Sequence, residues 1–546
     1  MLRREFLSAS SLAMAVSATG VGSAAPILAA KSILDYGARP DGKTLNTKSI
    51  QRAIDAVFQA GGGLVYAPPG TFLIGGLELK SRVTLYLEAG CVLLGSKSID
   101  DYDYHPGPPM QGDANGHHVI FAQNAEDVTL CGPGTIDGQG EAYWELRPNR
   151  PPTAPEDAWK EGATGHYQVK DNNRRPSPMV EFAQCRNVRI SGVTLKNSSG
   201  WTLRPVACDG VVIDGIRVRN PNHGVNTDGM DITASRNVFV SNCDIETGDD
   251  AICLKSENPY GDLLPTKNIT ITNCVIATSC NSFKLGTASN GAFENIVFSN
   301  SVLYADADSP IYTRSSGGIC IEAVDGGSID GITVSNIRMQ NVRAPIFVRL
   351  GNRKKKEGTF LRNVLIEGVD AAGAIVSSSI TGVPGLRPTD ITVSNCRIRT
   401  VEQGQAAWVH RDIPEVADKY PEARMFGRLP SYGFYVRHAD RVRLRDVQCI
   451  TDQADERPAV VCDDVNDVIL DGLDLSAPAG GAPLFDLRNT RRAFLTGMRC
   501  PAGAKVFTKV SGEASAGISL SGNSLDAGQQ AAAYVDGATQ GSTTIA

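Results

Sequence analysis

The sequence lacks several features that would assign it to a familiar functional class. It has no surplus of positive charge, because 53 Lys and Arg against 59 Asp and Glu leave a formal net charge of -6. Composition therefore does not favour nucleic acid as a partner. After the N-terminal segment no apolar run is long enough to cross a bilayer. No cysteine pair has zinc-site spacing, and no motif requires a cofactor. We predict a protein without nucleic-acid, membrane, metal or cofactor partners.

The sequence also lacks the regular leucine spacing of leucine-rich repeats and the Trp-Asp signature of β-propellers. What it has instead is a phrase, roughly Asn-Val-x-Ile, that returns mostly at intervals of about 23 to 36 residues. The phrase recurs around Val128, Val188, Val211, Val238, Ile269, Ile296, Ile332, Val364, Ile391, Val442 and Val468. Each unit is too short to bury its own apolar residues, so the units must stack. This pattern predicts an all-β, right-handed parallel β-helix, with a β-propeller as the alternative.

The first residues have the pattern of an export signal. Arg3 and Arg4 precede a short, mildly apolar stretch rich in Ala, Ser and Gly that ends at Ala30. This pattern is typical of twin-arginine signals, and residues 1–30 are predicted to be one. A Sec signal or an uncleaved anchor is the alternative. We expect a periplasmic or secreted protein.

The rest of the chain divides into three segments. Residues 31–118 are predicted to form an N-terminal cap and the first strands, with an amphipathic helix that has Thr47 as its N-cap and ends before Gly61. This helix would cover the open end of the solenoid. Residues 119–500 carry the repeats, and residues 501–546 are expected to be a C-terminal cap or tail.

Cysteine is present in an odd number, thirteen in all. Cys243, Cys274 and Cys396 occupy the same place in the repeated phrase. A free cysteine behaves as a small buried hydrophobe and suits an inward position of a stacked coil. We expect thiols in the core, although one or two disulfides remain possible.

Four aspartates lie close together in residues 222–256, between apolar runs that look like strands; they are Asp228, Asp231, Asp249 and Asp250. Buried carboxylates are costly unless they are paired, hydrogen-bonded or bound to a cation. Asp228 and Asp249 are 21 positions apart, slightly less than one coil. Neighbouring strands of a stack are about 4.8 Å apart. We therefore expect Asp228, Asp249 and Asp250 to meet on one face and form a hydrolytic site.

The motifs that contain these acids resemble a known family. NTDGMD at residues 226–231, followed by GDDAICLKS at 248–256, is similar to the polygalacturonase family, glycoside hydrolase family 28. DYGARPDGKTLNTKSIQRAIDA and SGWTLRPVACDG are similar as well, so the resemblance covers roughly residues 32–345. It implies a right-handed parallel β-helix and a single-displacement hydrolysis with inversion.

The resemblance also implies roles for individual residues. Asp249 matches the general acid that protonates the departing glycosidic oxygen, and Asp228 and Asp250 match the pair that activates water. Inversion needs room for that water, typically about 6.5 to 9.5 Å between the carboxyl groups. Asn226, in the same motif, is expected to bind substrate.

Two stretches depart from the family pattern. The family's Gly-His-Gly is matched by Cys-Asn-Ser at residues 280–282, where Asn281 can hydrogen-bond but cannot exchange a proton. The family's Arg-Ile-Lys, which grips a galacturonate carboxylate, is matched by a sequence that ends in Glu322, which would repel that anion. Lys284 and Arg314 could return positive charge from nearby positions. We expect Asn281, Lys284, Arg314 and Glu322 to contact the substrate. We therefore expect an exo-acting enzyme on a pectin side chain or another plant or algal polysaccharide, with a neutral or modified terminal sugar.

Two residues near the motifs allow more than one interpretation. Lys255 is expected to bind substrate or form a salt bridge at the edge of the site, and a solvated lysine is the alternative. His223 could line the cleft or be a turn histidine that bonds to backbone.

Residues 402–432 break the repeat. They contain prolines, charges and aromatic residues, and such a stretch predicts a long loop folded over the helix. Placed across the cleft, the loop would close one end and favour attack at a chain end. A packing or dimer contact is the alternative. The oligomeric state is open, with a monomer favoured.

Two other function classes remain compatible with the sequence. A β-helix polysaccharide lyase would use the acids to hold Ca²⁺ and Lys255 or Lys284 as the base. A carbohydrate-binding β-helix would need no reactive acids at all.

Overall fold

The computed structural model describes residues 30–105, 115–146, 167–170, 174–305 and 314–546. Apart from its last residue, the predicted export signal lies outside these ranges. Thirty-nine of the described strands belong to one sheet in which neighbouring strands pair in parallel. The chain is a right-handed parallel β-helix, as the repeats predict.

The strands form three stacks, one along each face of the helix. The first stack comprises Leu77–Glu78, Ile120–Gln123, Val180–Ala183, Leu203–Val206, Met230–Thr233, Ile252–Lys255, Asn281–Leu285, Ser315–Ala323, Val342–Leu350, Ser378–Thr381, Phe485–Arg488, Val506–Ser511 and Gln530–Val535. The second comprises Lys31–Ser32, Gly63–Ala67, Val83–Leu87, Glu126–Cys131, Arg186–Ser191, Asp209–Asp214, Arg236–Ser241, Thr266–Thr272, Arg491–Thr496, Ile518–Ser521 and Thr543–Ile545. The third comprises Asp41–Leu45, Gly70–Ile74, Cys91–Gly95, Thr135–Asp137, Thr194–Lys196, Arg217–Arg219, Asp244–Thr247, Val275–Thr278 and Asp474–Leu475.

Some strands are not confined to one stack. Six long strands run from one stack into the next; they are Ala292–Tyr304, Ser328–Gln340, Phe360–Ala374, Thr389–Thr400, Phe434–Thr451 and Val460–Asp471. Trp144–Leu146 and Tyr167–Val169 form a separate antiparallel pair beside the helix.

The repeated apolar positions form one column through the interior. Val128 pairs with Val188, Val188 pairs with Val211, and the same register continues to Val468. Every member of the column is at most 2% exposed. Burying a side chain of this size stabilises the fold by about 1.5 to 3 kcal/mol. The recurring phrase is thus the inward side of successive coils.

The α-helix Thr47–Gln59 buries Ile50, Ala53, Ile54 and Val57 against the first coils. Its N-cap is Asn46, and Thr47, predicted as the N-cap, is the first helical residue. The Thr47 hydroxyl accepts a hydrogen bond from the N–H of Gly75 at 2.7 Å. No helix among the described residues is long and apolar enough to span a membrane.

Strands from Lys31 onward belong to the stacks. The segment after residue 501, expected to be a cap or tail, contributes four strands that continue the stacks in register as far as Ile545. Alanine and glycine disguise these last coils, because they interrupt the apolar alternation of a strand. All thirteen cysteines are free thiols, and twelve of them are buried.

Candidate active site

The predicted acids lie where turns lead into the first stack. The strand that follows Asp228 pairs in parallel with the strand that follows Asp250. The N–H of Gly229 donates to the carbonyl oxygen of Asp250 at 2.9 Å, so the two acids are counterparts in adjacent coils. Carboxylate oxygens of Asp249 and Asp250 lie within 4.8 Å of each other and of the Cys280 sulfur, which is closer than the separation of about 6.5 to 9.5 Å expected from the sequence. The fold brings together acids that are a coil apart in sequence.

The two adjacent aspartates have opposite pKa shifts. Burial, and then the charge of Asp250, raises the pKa of Asp249 to about 7. Burial also opposes ionisation of Asp250, but the ammonium groups of Lys284 and Lys255 and a hydrogen bond from Asn281 outweigh it and lower the pKa of that carboxyl. Near neutrality Asp249 is therefore the carboxyl group that can hold a proton, and Asp250 is the one that is ionised.

Asp228 is the third acid of the group. Burial, and then the charge of Asp231, raises its pKa well above the usual value, and Asp249 and Asp250 act in the same direction. Asp228 is only 3% exposed, and its Oδ1 has no hydrogen-bond partner among the described residues. A buried oxygen without a partner needs one, and a water molecule between Asp228 and the ionised Asp250 would provide it.

Asn281 and Lys284 both bind the carboxylate of Asp250. The Asn281 side chain donates to Asp250 Oδ1 at 2.7 Å, and the Lys284 ammonium lies 3.0 Å from Asp250 Oδ2. Both residues are 1% exposed. Their polar atoms are already used by the acid, so they hold Asp250 in place rather than offer an open surface to a sugar.

Lys255 lies on the strand one coil earlier, two residues beyond the register partner of Lys284. Its ammonium lies 3.3 Å from Asp231 Oδ1 and 4.8 Å from the centre of the Trp201 ring. Asp231 is fully buried, and burial raises its pKa to about 6. Of the alternatives for Lys255, the structure shows the salt bridge. Trp201 is 5% exposed and packs beneath this pair.

Glu322 is completely buried, which differs from the substrate contact that the sequence suggests. Neither carboxylate oxygen has a hydrogen-bond partner among the described residues. Burial raises its pKa to about 8, the nearby Lys284 lowers it in part, and Glu422 opposes ionisation further. Glu322 is therefore a neutral group at pH 7 that lies under the inserted segment.

We expect Glu322→Gln to stabilise the protein at alkaline pH. The pKa of Glu322 is higher in the folded protein than the ordinary value of 4.5, so stability is lost as the pH rises between 4.5 and about 8. Glutamine mimics the protonated form and avoids this loss, which is on the order of a few kcal/mol. Thermal unfolding at pH 5 and pH 9 measures the effect. The exposed Glu367→Gln is the control, and equal midpoints for Glu322→Gln and the parent protein at pH 9 would contradict the prediction.

The remaining predicted residues are Arg314, His223 and Asn226. The guanidinium of Arg314 donates to the carbonyl of Gly373, two coils further on, and does not contact the acids. His223 stacks on Tyr167 with 4.6 Å between ring centres, in the turn that precedes Asp228, and burial lowers its pKa. Asn226, in the same turn, has a left-handed backbone with φ of 51°. His223 and Asn226 therefore lie in the turn that leads to Asp228, whereas Arg314 lies against a later coil.

Residues 402–432, the inserted segment, cover the outer face of the first stack beyond Lys284. Three arginines of that face donate to backbone carbonyls of the segment: Arg349 to Glu415 at 2.5 Å, Arg437 to Ile413 at 2.6 Å and Arg488 to Val409 at 3.1 Å. An apolar cluster joins the two surfaces, with Ile413, Ala423, Phe426 and Leu429 packed against Phe347, Tyr435 and Val461. These contacts hold the segment against the outer face of the first stack.

Sequence reasoning missed two members of the site. The Cys280 sulfur lies within 4.8 Å of an Asp249 carboxylate oxygen, and the Tyr420 hydroxyl lies 3.1 Å from the Lys284 ammonium. The departure from Gly-His-Gly was a signal for Cys280, because it put a polarisable group next to the acids. Tyr420 is 136 positions from Lys284, and no local pattern links the two.

The arrangement is poorly suited to calcium. Asp249, Asp250 and Cys280 could offer ligand atoms to one cation. Calcium, however, takes six to eight oxygen ligands, and a thiol is a soft ligand. The oxygens of Asp250 already accept from Asn281 and from Lys284. These contacts suit proton transfer better than coordination of Ca²⁺.

Comparisons with known proteins agree with this geometry. A probable polygalacturonase of Vitis vinifera is 26% identical over 408 residues, which are 71% of this chain and 78% of the relative. An endo-polygalacturonase of Pectobacterium carotovorum subsp. carotovorum is 25% identical over 373 residues, 64% of this chain and 84% of the relative. The crystal structure of a hyperthermoactive exopolygalacturonase from Thermotoga maritima superimposes with a TM-score of 0.55 at 24% identity, over 69% of this chain and 89% of that one.

The profile of glycosyl hydrolases family 28 matches residues 68–405. This range is more than half of the chain, and it includes the three clustered acids, Asn281 and Lys284. The inserted segment lies almost entirely outside it. On the site's geometry and this match together, the chain belongs to glycosyl hydrolases family 28 and is a glycoside hydrolase.

Proposed function

We propose that the protein is an inverting, exo-acting glycoside hydrolase that removes a terminal sugar from a pectic polysaccharide. The observation that carries the proposal is the opposite pKa shifts of Asp249 and Asp250. A hydrolase needs one carboxyl group that keeps a proton near neutrality and another that accepts one. We propose pectin as the substrate class because the relatives include polygalacturonases.

In the proposed reaction Asp249 donates its proton to the glycosidic oxygen as the bond to the sugar breaks. Asp250 accepts a proton from a water molecule that attacks the opposite face of the sugar, and Asp228 holds that water with its unpartnered oxygen. Attack from the opposite face inverts the anomeric centre in a single step. The Cys280 thiol orients the acid, while Lys284 and Asn281 keep the base ionised.

Exo action is supported by the inserted segment. The segment is fixed to the outer face of the first stack by backbone hydrogen bonds and an apolar cluster. A polymer that extended in both directions from the acids would collide with it. The named relatives include both endo- and exo-acting enzymes, so they do not distinguish the two modes of attack.

A neutral or modified terminal sugar is supported by the charges around the acids. Lys284 is paired with Asp250, Lys255 is paired with Asp231, and Arg314 points to a backbone carbonyl. No described cation next to the acids is left to bind the carboxylate of a galacturonate. The acids themselves would repel such an anion.

The proposal predicts release of single sugars from a chain end. With rhamnogalacturonan oligosaccharides as the probe, we expect a monosaccharide to be the first product, and proton NMR should show its anomer opposite to that of the cleaved linkage. Oligogalacturonides should react at least about 10-fold more slowly, because a missing charge contact typically costs more than 1.4 kcal/mol. Mid-length oligosaccharides as the first products would contradict exo action.

The same assay tests the lyase alternative. A lyase leaves an unsaturated product that absorbs in the near ultraviolet, whereas a hydrolase product does not. A rise in absorbance during the reaction would overturn hydrolysis. Failure to cleave any pectic, rhamnogalacturonan or algal polysaccharide would favour a carbohydrate-binding protein instead.

A further inference from the structure

The inserted segment presents one aromatic ring at the site. Tyr420 is 47% exposed, whereas Trp201, the aromatic residue beneath Lys255, is 5% exposed. An isolated exposed aromatic residue needs no explanation by itself. Tyr420 differs from such a residue because buried charges hold it in place at the edge of the catalytic cluster.

Two cations fix the orientation of the Tyr420 side chain. Its hydroxyl lies 3.1 Å from the ammonium of Lys284, which is also 5.1 Å from the ring centre. The Arg353 guanidinium lies 5.4 Å from the same ring centre. Cation contacts of this kind contribute about 0.5 to 2 kcal/mol each. The ring is therefore ordered before any ligand arrives, and part of its surface remains open.

Lys284 connects this ring directly to the base. The same ammonium that contacts the Tyr420 hydroxyl lies 3.0 Å from Asp250 Oδ2. Tyr420 is thus one residue removed from Asp250. A sugar within reach of Asp249 and Asp250 would lie beside the ring.

We propose that Tyr420 is a sugar-binding residue that the inserted segment supplies to the active site. A sugar ring has an apolar face of C–H groups and a polar rim. An aromatic side chain with an apolar body and a fixed polar end matches both parts. The ring bears no charge that would require an acidic sugar, which agrees with the neutral terminal sugar proposed above. This inference rests on the proposed hydrolase function.

Pre-ordering makes the contact effective. The segment that carries Tyr420 is held by Arg349, Arg437 and Arg488 and by its apolar cluster. Binding therefore requires little ordering of the loop, and the contact energy is available to the substrate. The family match ends at residue 405, so Tyr420 lies outside the matched region.

The test compares Tyr420→Phe with Tyr420→Leu on rhamnogalacturonan oligosaccharides. Phenylalanine keeps the ring, so KM should stay within about 2-fold of the parent value, whereas leucine removes the ring and should raise KM about 10-fold. The change in kcat should be smaller than the change in KM for both variants. Phe494→Leu, which alters a ring of equal exposure, 47%, on the second stack, should change neither constant.

The outcomes separate this inference from the proposed function. An unchanged KM in Tyr420→Leu overturns the role of Tyr420. A purely structural role would lower the unfolding temperature and kcat of Tyr420→Leu and leave KM alone, which also overturns it. If the parent protein cleaves no oligosaccharide, the hydrolase proposal itself fails.

Discussion

Replacing Asp249 by asparagine is expected to slow sugar release about 1,000-fold with the fold unchanged. Asparagine has almost the same shape as aspartate but cannot deliver a proton to the leaving oxygen. General acid catalysis of this kind is worth about 10² to 10⁴ in rate. Initial rates on rhamnogalacturonan oligosaccharides measure the loss, and circular dichroism checks the fold.

The leaving group provides a sharper test of the Asp249 role. An aryl glycoside with an acidic phenol departs without protonation, so Asp249→Asn should lose far less activity on that substrate than on an oligosaccharide. In the parent protein, activity should fall as the pH rises through about 7, where Asp249 loses its proton. That alkaline limb should disappear in the variant. Asp244→Asn, in a surface salt bridge with Arg219, is the matched control, and equal losses on both substrates would contradict the acid role.

Replacing Lys284 by methionine is expected to reduce activity at least about 100-fold and to destabilise the protein. Methionine fills similar space but leaves Asp250 without its cation at 3.0 Å. Removing one partner of a buried ion pair typically costs about 3 to 5 kcal/mol, because the other charge stays buried and unpaired. Asp250 can escape this cost by binding a proton, and its pKa then rises.

The pH profile distinguishes this effect from simple unfolding. In Lys284→Met the acid limb of activity should move up towards the alkaline limb, which Asp249 sets at about 7. The range in which Asp250 is ionised and Asp249 is protonated then becomes narrow, and no pH restores full activity. Lys196→Met is the control, because Lys196 forms a partly exposed pair with Asp137 that is worth at most about 1 kcal/mol. An unmoved acid limb would contradict the role of Lys284.

The repeat was predictable because it depends on local spacing alone. Apolar residues from Val128 to Val468 recur once per coil, and stacking turns that recurrence into a single buried column. The proximity of Asp228 to Asp249 and Asp250 follows from the same rule, because one coil separates Asp228 from the other two. Both predictions use the number of residues per coil, which in a parallel β-helix decides which residues lie side by side in adjacent coils.

Side-chain direction was not predictable in the same way. Lys284 could have faced solvent, but its ammonium turns to Asp250, and Arg314 turns away to a carbonyl two coils on. The raised pKa of Glu322 depends in part on the charge of Glu422, which lies a hundred positions later in the chain. Tyr420 joins the site through an insertion with no repeat of its own. Such contacts depend on tertiary packing, for which a single sequence carries no signal.

The way the three arginines hold the inserted segment has a consequence for how specificity can change. Arg349, Arg437 and Arg488 donate to main-chain oxygens, which every amino acid possesses. The course of the segment is thus largely independent of what its exposed side chains are. Position 420 can accept a different amino acid while the loop keeps its path, so preference for one chain end over another can evolve, or be engineered, by single substitutions on a constant support.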